Sequence, residues 1–272
     1  MKTMKKVILT SLVAATLGLG LGACSTTNQV ELPALSQSQQ KHEGQVIWRD
    51  LVTSEPEKVQ SFYHDLFGWD FEAISDDYSI IRYQGVAIGG IARLPSDNIS
   101  SYWLPVLSSD DLSQTLNQAK TSGAKVLIDS TNLKGRGDIA VIQDPQGAVF
   151  SVLDTVSGDP TQLPATAGNW MWQEVWSDDQ DQSQGFYQQL AGYTAKERQF
   201  KNVAYRYLEI DNTPAFGVVQ TPNDEVPNTW VNYVRVDDVE QTLKTLQALG
   251  GEVLMAPTPE VRNSSVALVR DP

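Results

Sequence analysis

Trp48 and Asp50 stand two residues apart, and Trp172 and Glu174 repeat that spacing 124 residues further on. A strand puts residues i and i+2 on one face, so each pair sets an indole beside a carboxylate. The indole offers a wall to an aromatic ring or a cation, and the carboxylate holds a cation or a hydrogen-bond donor. A carboxylate among aromatic rings can also have its pKa raised and act as a general base, a role open to Asp50 and Glu174. The competing reading is structural: the indole fills the interior, and the acid pairs internally with Arg82 in the first copy or Arg206 in the second. Arg136, in a Gly-Arg turn before a strand, can clamp an anion or carboxylate, or it stays a solvated loop arginine. Trp103 and Trp230 also recur and suit core packing better than ligand contact.

Other chemistries find little material. Cys24 is the only cysteine, and the two histidines are His42 and His64. His64 falls on a helix face that the apolar spacing leaves to solvent. There is no Gly-x-Ser-x-Gly elbow and no phosphate-cradling glycine loop. The tripeptide Arg136-Gly137-Asp138 is a chance match. No metal and no cofactor is expected.

The elements that position these residues are written twice. Phe62-Tyr63-His64-Asp65-Leu66-Phe67-Gly68-Trp69 returns as Phe186-Tyr187-Gln188-Gln189-Leu190-Ala191-Gly192-Tyr193, and Asp144-Pro145 returns as Asp271-Pro272. So long a period marks two copies of a domain. Within the first copy, Val46–Val52 alternates as a strand. Ser54 and Glu57 fit a capping box for a helix from Glu55 to about Phe67 that stops at Gly68. Strands follow over Trp69–Ile74, Tyr78–Gln84 and Val86–Leu94. The order then restarts: a strand over Tyr102–Ser108, a helix capped by Asp110 or Asp111 and running to Ser122, and strands over Lys125–Asp129, Asp138–Gln143 and Ala148–Asp154. The unit is βαβββ, used four times.

The first 23 residues join Lys2, Lys5 and Lys6 to a short apolar run, as a secretory signal does. Cys24 follows Leu21-Gly22-Ala23, a pattern that resembles the bacterial lipobox, and is read as the lipid attachment point. Residues 24–44 then form the lipidated cysteine and a flexible tether. Such a chain sits in the cell envelope, on the outer membrane facing the periplasm in a two-membrane host. Cleavage takes the formal charge from −13 to −16, because three lysines and no acids are lost. That charge repels phosphate backbones and disfavours nucleic acid as a partner.

Paired βαβββ units, a first helix ending Phe-Tyr-x-x-Leu-x-Gly-Trp, and Asp144-Pro145-Gln146-Gly147 before the last strand resemble the vicinal oxygen chelate superfamily, which includes glyoxalase, bleomycin-resistance proteins and extradiol dioxygenases. The resemblance implies an α+β fold of tandem glyoxalase-like domains, each a curled eight-stranded sheet whose concave face forms the site. The expected organisation is domain one over 45–157, a linker over 158–168, and domain two over 169–272. It also implies metal-ligand positions, which fall here on Trp48 and Trp172, on Leu104 and Val231, near Gly90 or Ile91, and on Ser151. None of these residues is a good ligand. Trp48, Asp50, Trp172 and Glu174 then lie on the concave faces, with Arg136 as a further ligand contact.

Three functions remain. One is a lipid-anchored, metal-free module binding a small aromatic or cationic molecule. Another is a metal-independent lyase or isomerase with Asp50 or Glu174 as base. The third is an envelope interaction scaffold. Pro272 aligns with Pro145, so the second domain lacks its last strand. The expectation is a truncated sequence, or a homodimer or other partner that donates a strand at that edge.

Overall fold

The computed structural model describes residues 30–95, 101–200, 203–223 and 226–272. The signal segment and Cys24 lie outside them. The first half builds β1 (Val46–Thr53), α1 (Pro56–Phe67), β2 (Asp70–Ser75), β3 (Tyr78–Tyr83), β4 (Val86–Arg93), β5 (Tyr102–Ser108), α2 (Leu112–Thr121), β6 (Lys125–Leu133), β7 (Gly137–Gln143) and β8 (Val149–Thr155). These strands form one eight-stranded sheet in the order β2-β3-β4-β1-β5-β8-β7-β6. β1 and β5 pair antiparallel at its centre, and each closes its own βαβββ unit by a parallel contact, β1 with β4 and β5 with β8.

The second half repeats the order with β9 (Trp170–Ser177), α3 (Gln180–Ala191), β10 (Thr194–Phe200), β11 (Val203–Ile210), β12 (Thr213–Gln220), β13 (Thr229–Val234), α4 (Val239–Ala248), β14 (Glu252–Met255) and β15 (Leu268–Arg270). Its sheet has five strands, β10-β11-β12-β9-β13, while β14 and β15 pair only with each other. In the first half β8 bridges β5 and β7. Among the described residues no strand does so in the second half, so the sheet is interrupted in its middle.

Local sequence sets the helix ends. Asp111, Asp179 and Asp238 each accept the backbone N–H three residues on, at 2.9 Å, and so cap α2, α3 and α4. The capping box read at Ser54 and Glu57 does not form. The N-cap of α1 is Glu55, without a side-chain cap, and Pro56 opens the helix at a position where no N–H is needed. Gly68 ends α1 with φ +71°, its N–H bonded to the His64 carbonyl. His64 is exposed, as its place on the helix implies, and its Nδ1 lies 2.8 Å from the Trp69 carbonyl.

The two halves share their cores. Leu107, Leu112, Leu116 and Phe150 of the first pack with Phe186, Tyr187, Phe216 and Trp230 of the second. Leu51, Val59, Phe62 and Trp69 pack in turn with Leu246, Trp170 and Val253. Each such side chain, fully buried, contributes about 1.5–3 kcal/mol. Trp103 and Trp230 are packing residues, set edge-on against Trp69 and Trp170 and against Phe216 and Tyr187 respectively. The repeated motifs also trade partners. The Tyr187 hydroxyl donates to Asp144 at 3.0 Å, and the Tyr63 hydroxyl donates to Asp271 at 2.8 Å. Each half's helix tyrosine is therefore held by the other half's Asp-Pro turn. Burial raises both carboxyl pKa values against the opposing hydrogen bonds.

Residues 30–44 are not a free tether. Leu32 and Leu35 pack against the same cluster as Trp48, Tyr78 and Ile139. The Leu32 N–H donates to the Lys134 carbonyl at 2.8 Å, and the Gln39 N–H to Ser157 at 3.0 Å. Lys41 pairs with Asp154 at 2.6 Å, and the His42 N–H donates to buried Asp159 at 2.6 Å. Gly135, with φ +85°, admits the strap, because a side chain there would overlap the Leu32 carbonyl. The polar composition of this segment hid two leucines spaced to bind, which is why it reads as a linker.

Candidate functional site

Strand alternation places Trp48 and Asp50 together inside the first curled sheet, with Arg49 pointing the other way. The Asp50 carboxylate accepts the Trp48 indole N–H at 3.0 Å and the Tyr78 hydroxyl at 2.8 Å. Arg136 completes the group. Its Nη1 donates to Tyr78 at 2.8 Å, and its guanidinium lies 5.0 Å from the centre of the Trp48 ring and 5.3 Å from that of Tyr78. Burial raises the Asp50 carboxyl pKa, opposed by Arg136, Tyr78 and Trp48. The strap covers this cup, and the Pro33 carbonyl accepts from Arg136 Nε at 3.4 Å. Trp48 is 2 % exposed, Asp50 4 % and Arg136 3 %. Arg136 Nη2 and the Ser151 hydroxyl are buried without a protein partner.

The second half assembles the same types differently. Glu174 is buried, and all its acceptor directions are used. Tyr205 at 2.8 Å and Arg262 donate to one oxygen; Tyr233 at 2.6 Å and Trp176 at 3.1 Å donate to the other. Trp172 donates to the Tyr205 hydroxyl at 2.6 Å. The Arg262 guanidinium sits 5.1 Å from the centre of the Tyr205 ring and 5.2 Å from that of Tyr233. Burial works against its charge, but Glu174 and the two tyrosines outweigh this and raise its pKa. Arg262 reaches in from a 3-10 turn, Arg262–Ser264, whose three residues all have positive φ. Its side chain is 34 % exposed, and Trp172, Tyr205 and Tyr233 are half-buried. This cup is reachable from solvent.

Of the residues singled out from sequence, Trp48, Asp50 and Arg136 meet in one cup, and Trp172 and Glu174 line the other. Arg136 is neither a solvated loop residue nor free to clamp an anion from solvent. The internal partners read as Arg82 and Arg206 are corrected: Arg82 pairs with Glu72 at 2.6 Å and Arg206 pairs with Asp181. The arginines beside the acids are Arg136, which reaches Asp50 through the Tyr78 hydroxyl, and Arg262, which pairs with Glu174 directly. Sequence reasoning missed Tyr78, Tyr205, Tyr233 and Arg262. The first two were detectable, since they stand 127 residues apart, the period of the second part of the repeat. Gly90 and Gly217 share that spacing, and a side chain at either would overlap the acid and tyrosine above it.

That overlap bears on the metal which the resemblance implies. At the strand position near Gly90, the tyrosine hydroxyl and the carboxylate fill the space a ligand side chain would need. The other positions carry Trp48, Leu104 and Ser151 in the first cup, and Trp172 and Val231 in the second. Among the described residues no three of His, Cys, Asp and Glu converge. This donor set does not fit a divalent metal.

Curled sheets built from paired βαβββ units, with an aromatic and acidic group inside each curl, define a protein of the vicinal oxygen chelate fold. Residues 172–272 match the family model described as Glyoxalase/Bleomycin resistance protein/Dioxygenase superfamily. Among curated proteins, "Putative glyoxylase CFP32" of Mycobacterium tuberculosis is 26% identical over 234 residues, covering 83% of this chain and 90% of the relative. The "Anthracycline biosynthesis protein DauV" of a Streptomyces species is 25% identical, covering 82% and 89%. Among solved structures, the Mn(II)-bound glyoxalase of Novosphingobium aromaticivorans superposes with a TM-score of 0.53 at 15% identity, covering 80% of this chain and 74% of that one. At that identity the likeness is one of fold.

Proposed function

We propose that this chain is a metal-independent small-molecule binding protein whose working site is the cup of the second half, and that it takes a small molecule both aromatic and cationic. One observation carries the reading. The Arg262 guanidinium lies between two tyrosine rings over a buried carboxylate, which is how an aromatic cage holds a cationic ligand. Arg262 comes from a turn with strained backbone and is a third exposed, so a ligand can displace it at small cost to the fold. The relatives' names, a glyoxylase and an anthracycline biosynthesis protein, are in keeping with small-molecule work on this fold. Anchoring through a lipidated Cys24, in the cell envelope, is part of the same proposal.

The test is a titration of the full chain with phenyltrimethylammonium, followed by tryptophan fluorescence. Saturable binding is expected. It should weaken at least ten-fold in Glu174→Gln and in the Tyr205→Ala/Tyr233→Ala double variant, and tighten in Arg262→Ala, where the internal competitor is gone. Binding that survives the double variant unchanged would sink the proposal. A second reading, a metal-independent lyase or isomerase, draws on the raised Asp50 pKa, which suits a general base. It requires the strap to open, and Asp50→Asn should then abolish turnover without changing affinity for the second cup.

A further inference from the structure

Behind the cup, on the opposite face of β1, Arg49 is almost wholly buried. Its Nε donates to Asn232 at 3.1 Å and its Nη2 to Gln173 at 2.5 Å, while the guanidinium stacks 4.9 Å from the centre of the Trp170 ring. These partners are neutral amides and an aromatic face. No carboxylate of the described residues pairs with it. Buried charges are normally paired, and the protein carries far more acids than bases, so a lone buried cation here is unexpected. Donors also outnumber acceptors locally. Arg49 has five N–H groups, of which two are engaged, and the neighbouring Asn232 Nδ2 is buried without a protein partner.

Arg49 lines a cleft of about 280 Å³ walled by residues of β1 and β9 and, on one side, by residues 160–163 and Ala165 from the segment that connects the halves. Among its lining residues Arg49 is the only one with a charge. The rest of the wall mixes apolar side chains, among them Ile88, Leu163 and Trp170, with neutral polar ones such as Gln45, Asn169 and Gln173. The volume lies just below the range of drug-sized sites, which starts at roughly 300 Å³, and so suits a small ligand. We infer that this cleft binds a small organic carboxylate, its carboxylate paired with Arg49 and its apolar body against Trp170 and Leu163. One fixed positive charge beside the apolar faces of Trp170 and Leu163 favours a monoanion with an apolar body over a multiply charged, fully hydrated phosphate. Burial lowers the Arg49 pKa to about 9, and a bound anion would reverse that penalty. Trp172 borders both this cleft and the second cup, but the anion's partner is Arg49, so the inference stands without the cation cage.

Calorimetric titration of the full chain with benzoate, its neutral analogue benzamide, and inorganic phosphate tests the inference. Saturable benzoate binding near one per chain is expected, with none for benzamide. Arg49→Lys should weaken benzoate at least ten-fold, because an ammonium cannot present the planar fork. Ala165→Phe, which fills the cleft and leaves Arg49 in place, should do the same. Thermal unfolding checks that each variant is folded; if Arg49→Lys is not, Ala165→Phe decides alone. Absence of saturable benzoate heat overturns the inference, as does phosphate binding in its stead. Benzoate binding lost in Arg262→Ala but retained in Arg49→Lys would move the anion to the cup and overturn it equally.

Discussion

The two cups hold the same four kinds of side chain and differ in what they can admit. In the first, tryptophan, aspartate, tyrosine and Arg136 form a closed group under a strap that begins with Leu32. In the second, tryptophan, glutamate, two tyrosines and Arg262 form a comparable group, with no strap above it among the described residues and its arginine on a strained turn. A guanidinium between aromatic rings beside a carboxylate is thus an interior element in one place and, on the function we propose, a stand-in ligand in the other. Composition does not separate these roles; what covers the group does.

The largest expected effect comes from cutting the arginine in each cup. Arg136→Ala removes the cation nearest a buried carboxylate and should cost about 3–5 kcal/mol, whereas Arg262→Ala leaves buried Glu174 still hydrogen-bonded by Tyr205, Tyr233 and Trp176 and should cost about 1.5–3 kcal/mol, the worth of one charge-assisted hydrogen bond. Urea unfolding of the two variants measures the contrast, and equal losses would erase it. Next is the strap. Leu32→Ala should cost about 2–3 kcal/mol, at the low end for a buried leucine at a site that can relax, while leaving affinity at the second cup unchanged.

The pH dependence is a smaller effect, carried by buried carboxyls in the sealed cup and at the seam between the halves. Burial raises the folded-state pKa of Asp50 above its ordinary 3.8, and does the same for Asp144 and Asp271. A raised acid contributes stability that is complete below the unfolded value and is lost as pH climbs through the folded one. The urea midpoint should therefore fall as pH rises from 4 through neutrality, and Asp50→Asn should flatten the slope relative to its own lower baseline. A profile that climbs over that range would contradict the assignment. The smallest effect concerns metal. EDTA should change neither thermal stability nor ligand affinity at either cup, and a chelator-sensitive melting temperature would show that the donor set has been misjudged.

The repeat made the strands and helices legible, because apolar alternation, Gly68 and Gly192, and the capping Asp111, Asp179 and Asp238 act within a few residues of themselves. Trp48 with Asp50, and Trp172 with Glu174, were visible for the same reason. Arg262 was not. It reaches Glu174 across 88 residues of chain, on a turn whose shape no local pattern announces. Tyr78 and Tyr205 lay within reach of the repeat's own arithmetic, but a tyrosine in an alternating strand reads first as core. The strap escaped because a polar stretch needs only two well-placed leucines to fold against a sheet, and average composition conceals them. Cys24 and the signal segment lie outside the described residues.

The exchanged tyrosine and aspartate bonds, Tyr187 with Asp144 and Tyr63 with Asp271, bind the halves in a further sense. With these bonds and the shared cores, neither half can melt without stripping the other of hydrogen-bond partners and buried surface, so the chain should unfold in a single cooperative transition. A ligand seated in the second cup would then raise the melting temperature of the first as well, by the linkage that ties any native-state binder to the whole folding equilibrium. One melting curve would report occupancy anywhere in the molecule.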